Sequence, residues 1–136
     1  MLGSDDTMYP ECLEDCADEY LHQNSRDGWY ATSYKIGNDI YTIPNNWAMT
    51  TKNFWKWTGG FPPSAFAGPD ALLLSCLIVH APDRIMKVKE GKASVRGRQG
   101  EHQDTHTTAS FFLDEMNSIR NKETLRFKPN TEVILK

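Results

Sequence analysis

Nine of the fifteen aromatic side chains in this 136-residue chain, including all four tryptophans, fall between Trp29 and Phe61. Rings contribute more buried area than other side chains, so any fold for this sequence must gather its core around that quarter of the chain. The run is Trp29, Tyr30, Tyr34, Tyr41, Trp47, Phe54, Trp55, Trp57 and Phe61, with Lys35, Lys52 and Lys56 between the rings. Ring faces also stack on bases, so the cluster is either most of a core or a core with rings left over for a ligand.

A chain of this length buries roughly two thirds of its unfolded surface and forms a core without staples. Its longest apolar run, Ala71 to Val79, is broken by Ser75 and reaches less than half of the ~20 residues that a membrane span needs. The first residues carry Asp5 and Asp6 and no basic or apolar run, which is no targeting signal. We therefore read 1–9 as a disordered tail or cloning remnant, and 10–136 as one α+β domain. An odd count of three cysteines suits a reducing compartment, so the expected location is cytoplasmic. Cys12 and Cys16 stand one helical turn apart, where a bridge would constrain little, and they read as small semi-buried residues.

Local signals then give an order of elements. Pro10 starts a helix whose stripe is Leu13, Cys16, Ala17, Tyr20 and Leu21, leaving Glu14, Asp15, Asp18 and Glu19 on an acidic face. That face is solvated, or it meets a basic partner or this chain's own basic segment. Gly37-Asn38 suits a two-residue turn joining Trp29–Ile36 to Asp39–Ile43, with Tyr34 opposite Tyr41 and Lys35 opposite Ile40. Asn46 caps a helix from Trp47 to about Thr58, stopped by Gly59-Gly60. Pro69-Asp70 favours a helix to His80, with a strand across Cys76–Val79 as the alternative.

A second hairpin joins Arg84–Lys89 to Lys92–Gly97 around Glu90-Gly91, with Met86 and Val88 facing inward. Gly97 to His106 reads as a loop, and a helix follows on Phe112, Leu113, Met116 and Ile119. Thr124–Phe127 and Glu132–Leu135 make a final hairpin. Hairpins alternating with helices predict an antiparallel sheet with helices packed on one side.

Charge is divided along the chain. Residues 1–27 hold eight carboxylates against Arg26, whereas 84–98 hold Arg84, Lys87, Lys89, Lys92, Arg96 and Arg98 against Glu90. An overall charge of −3 disfavours a dedicated duplex-DNA binder but permits a local basic patch. The leading functional expectation is a small binding protein for a nucleotide or single-stranded nucleic acid. Lys87, Lys89, Lys92, Arg96 and Arg98 would meet phosphate, and Trp55 or Trp57 would stack on a base.

The alternative is a protein-interaction or inhibitor module, with the aromatic cluster as its hot spot and the acidic helix for steering. A third reading is a metal-dependent hydrolase built on His102, His106 and Asp104. His102 and His106 have zinc-protease spacing, but Gln103 stands where that motif needs a catalytic Glu. No phosphate-cradling loop, nucleophile elbow or second His-x-Thr repeat accompanies them. No cofactor, no catalytic residue and no membrane partner follow from the residues, and oligomeric state is unconstrained by them.

Overall fold

Four consecutive side chains, Trp29 to Thr32, are buried, and this strand (β2) organises its surroundings. The computed structural model describes residues 7–41, 48–62, 69–90, 92, 93, 95, 96 and 121–136. In chain order they form β1 (Thr7–Met8), α1 (Cys12–His22), β2 (Trp29–Thr32), β3 (Tyr34–Ile36), β4 (Asp39–Tyr41) and β5 (Ala48–Thr50). Then come α2 (Lys52–Thr58), α3 (Pro69–His80), a 3-10 turn (Pro82–Arg84), β6 (Ile85–Val88) and β7 (Val95–Arg96). Residues 121–126 are helical and are called α4. Thr7 and Met8, assigned by sequence to the tail, thus sit in a strand.

The α+β class is as expected, but the sheets are mixed rather than antiparallel. One has the order β5-β2-β6 and the other β1-β7-β3-β4. β2 pairs antiparallel with β5 and parallel with β6, while β3 pairs antiparallel with β4 and parallel with β7. The proposed hairpin between β6 and β7 does not form, because each strand lies parallel to a piece of the β2–β3 ribbon instead. Trp29 faces Ile85 and Thr32 faces Val88, 56 residues on in each case, whereas Tyr34 faces Val95, 61 residues on. The five extra residues leave the sheets as an excursion that starts at Lys89, whose φ is 45°.

Helices cover both faces of the three-stranded sheet. Strand alternation sends Trp29 and Ala31 to one side, where they pack with Ala48, Phe54 of α2, and Leu73, Leu74 and Leu77 of α3. Tyr30 turns to the other side and packs with Met86, Val88 and the α1 cysteines Cys12 and Cys16. The expectation of helices on one side fails for this reason: β2 has no solvated face.

Several elements differ from the sequence reading in instructive ways. The stretch expected to be one helix from Trp47 splits into β5 and α2, since Ala48 to Thr50 pair with Ala31 to Trp29. Thr51, not Asn46, caps α2: its Oγ1 accepts from Phe54 N at 3.4 Å. Gly59 ends that helix in the left-handed region at φ 79°, as expected. Residues 69–80 are helical. The final hairpin is absent; after α4, residues 127–136 cross the Trp29 core, with Phe127 and Leu135 packed on it. Asn130 N donates to Trp57 O at 2.8 Å, and Lys136 N to Asp27 Oδ2 at 2.9 Å. The segments 42–47 and 97–120, with the histidine loop and the helix expected on Phe112 to Ile119, lie outside the described residues.

Gly28 lets the chain enter β2 beside the 3-10 turn. A Cβ there would lie 2.6 Å from the Arg84 carbonyl oxygen and would collide with the Met86 methyl. The methyl can move, but the carbonyl is backbone, at the point where the 3-10 turn runs into β6. Gly28→Ala should therefore lower stability by about 1–3 kcal/mol. Urea titration should show a reduced midpoint with an unchanged slope. An unchanged midpoint would mean that the two segments do not approach this closely.

Candidate interaction surface

α1 carries the acidic face, but the helix is rotated from the orientation its apolar residues suggest. The buried positions are Cys12, Asp15 and Cys16, with Glu19 and Tyr20 half-buried beside them. Leu13 and Leu21 are instead 56% and 66% exposed, and Ala17 is exposed between them. The shift is about one residue of helical phase, some 100°. Two cysteines take the inner face, packed on Tyr30, Met86 and Val88. The helix ends at a left-handed Asn24 (φ 55°), with Asn24 N bonded to Leu21 O and Ser25 N to Tyr20 O. This pair of bonds is the Schellman arrangement.

Burial of Asp15 requires a counter-charge. Lys92, carried by the excursion between β6 and β7, places Nζ 2.9 Å from Asp15 Oδ2. The Asp15 side chain is only 7% exposed and Lys92 is half-exposed. At that separation the ammonium and the carboxylate are in charge-assisted contact. Contact with Asp15 holds the Lys92 pKa above the ordinary lysine value, and Glu11 and Glu14 add to the negative field there. The acidic helix thus meets the chain's own basic segment. No ion pair among the described residues engages Glu11, Glu14 or Asp18, which are exposed.

The basic residues singled out by sequence are dispersed. Lys87 sits 3.4 Å from Glu90, Lys92 is held by Asp15, and Lys89 is exposed in the excursion. Arg96 pairs its backbone with Thr7 and Lys35 across two strands, and Arg98 lies outside the described residues. His102, Asp104 and His106 also lie outside them. Among the described residues no group of three His, Cys, Asp or Glu side chains is placed to hold a metal ion.

The candidate stacking rings are both half-buried against the core. Phe54 points straight inward, and Trp55 and Trp57 flank it on either side of α2. Each flank has a ring neighbour. Trp57 stacks on Phe54 at 5.4 Å and meets Phe127 edge-on at 6.0 Å, while Trp55 meets Phe61 edge-on at 5.0 Å. Phe61 is itself 44% exposed, so this edge of the aromatic cluster reaches solvent.

The acids buried beneath α1 carry a pH signature. Burial, with the Cys12 thiol alongside, pushes Cys16 from 9.0 up to about 12, and burial pushes Tyr30 from 10.0 up to about 12. Burial raises Cys12 as well. Above the ordinary values the unfolded chain releases protons that the fold retains, so stability falls as pH rises. The loss should run from about pH 9 to about 12 for Cys16, and from about 10 to about 12 for Tyr30. Urea midpoints taken at about pH 8 and about pH 10.5 should differ, the second being lower. Equal midpoints would place these groups in solvent.

Removing the Lys92 ammonium should destabilise the fold, because the Asp15 carboxylate would remain buried without a counter-charge. Lys92→Ala should lower the melting temperature, and Asp15→Asn in the same chain should recover part of the loss. Simple additivity of the two changes would mean that the pair is not coupled.

No helix among the described residues is long and apolar enough to cross a membrane. No family model matches this chain, and neither curated proteins nor solved structures yield a match.

Proposed function

We propose that this protein is an interaction module that docks a partner protein on the exposed face of α1, with the solvent edge of the aromatic cluster as a second anchor. The observation that carries this reading is the stripe Leu13, Ala17 and Leu21. These residues follow at i, i+4 and i+8 along one helix, and both leucines are more than half exposed. Isolated apolar residues on a surface are ordinary, but a row of them beside exposed carboxylates forms an apolar core with a charged rim.

A nucleotide or single-stranded nucleic acid is less well supported. That reading relies on a basic hairpin, and its residues are instead split between two sheets, with Lys92 and Lys87 engaged by carboxylates. Quenching of tryptophan fluorescence by nucleotides would revive it.

The test is photo-crosslinking from position 17 in cells of the source organism. Full-length protein carrying a photoreactive residue there should give a discrete protein adduct, and Leu13→Ser with Leu21→Ser should abolish it. Both serines lie on the surface and should change stability by no more than about 0.5 kcal/mol each. The absence of an adduct, or an adduct indifferent to the serines, would remove α1 as the docking element.

A further inference from the structure

We infer that the segment docking on α1 is a basic amphipathic helix of the partner protein, an inference that rests on the reading of α1 as the docking face. The stripe from Leu13 to Leu21 is about 12 Å long at 1.5 Å rise per residue. A straight apolar row of that length, with the small Ala17 at its middle, suits a second helix lying alongside. Such a helix would set its own apolar side chains at i and i+4 between the leucines. An extended strand would need an open backbone edge, which a helix does not offer.

The sign of the partner's charge follows from what borders the stripe. Glu14 and Asp18 adjoin Leu21 and Ala17 on the helical wheel, and both are exposed without an ion pair among the described residues. Lysine or arginine flanking the partner's apolar row would meet them, whereas nucleic acid or an anionic lipid surface would be repelled. The chain itself provides an instance of such recognition: Lys92 is seated on this helix at Asp15, one turn from Cys12 and beside Glu11 and Glu14. A second copy of the chain is the competing occupant. It would bring the carboxylates of two α1 helices together, and like charges across an interface oppose association.

Fluorescence anisotropy with the full chain tests the inference directly. Three labelled synthetic peptides serve as probes: a Leu/Lys amphipathic helix, its Leu/Glu counterpart, and a Leu/Lys scramble without the apolar stripe. The first should bind, and more weakly as salt rises. Its Kd should increase about tenfold both in L13S/L21S and in E14Q/D18Q. Circular dichroism and melting curves would establish that both variants remain folded.

Equal binding of the Leu/Glu peptide would show that charge plays no part, and equal binding of the scramble would show that the stripe plays none. Either result overturns the inference, as does failure of the Leu/Lys helix to bind. If that failure occurs while the position-17 adduct still forms and still depends on Leu13 and Leu21, the docking face stands and only the partner class is wrong. If the adduct is also missing, both readings fall. Sedimentation that reveals a dimer lost in L13S/L21S would assign the stripe to a second copy and overturn the inference as well.

Discussion

Burial of both faces of β2 is the constraint from which the arrangement follows. A strand alternates its side chains, so Trp29 and Ala31 need cover on one side and Tyr30 on the other. Burying a large apolar side chain contributes about 1.5–3 kcal/mol, and neither set could be left in water without forfeiting several such contributions. α2 and α3 cover the tryptophan side, and α1 covers the tyrosine side. The two edges are closed by β5 and β6, so the strand's backbone groups are paired in the ladder as well.

The character of α1 comes from this position. It packs through thiols and a carboxylate rather than through its leucines, with Cys12 and Cys16 seated on Tyr30, Met86 and Val88. Packing of this kind leaves Leu13 and Leu21 outside. It also leaves Asp15 buried, and Lys92, from the segment where the register between the two parallel ribbons slips by five residues, neutralises it. The excursion carries the lysine from the sheet edge to the helix. The two faces of α1 therefore share one origin: the inner face carries an acid that Lys92 pairs, and the outer face keeps its leucines in solvent.

Much of the local structure was legible in the residues. Gly37-Asn38 places Tyr34 opposite Tyr41 and Lys35 opposite Ile40, and the structure has both pairs, with Gly37 at φ 61°. Pro69 opens α3 and Gly59 closes α2, since caps and turns are chemistry of neighbouring residues. The cap at Thr51 went unread in favour of Asn46, because the helical pattern of Trp47, Phe54 and Trp57 concealed β5. Parallel pairing left no local trace, because Trp29 and Ile85 stand 56 positions apart in the chain. The face of α1 was misassigned for a related reason. Leucine outranks cysteine and aspartate in hydrophobicity, and nothing near Asp15 announces that a lysine 77 positions away will join it.

The parallel pairing of β2 with β6 has a consequence for how the chain comes off the ribosome. After Thr32 has emerged, 56 more residues must be made before Val88 can take its place alongside. At about 5–20 residues per second this interval is roughly 3 to 11 s. Throughout it, one edge of an apolar strand has no partner, and such an edge is a template for wrong pairings. β5 emerges early enough to shield the opposite edge. The vulnerable side during synthesis is therefore the one that β6 completes, and slow translation between these two strands would prolong the exposure.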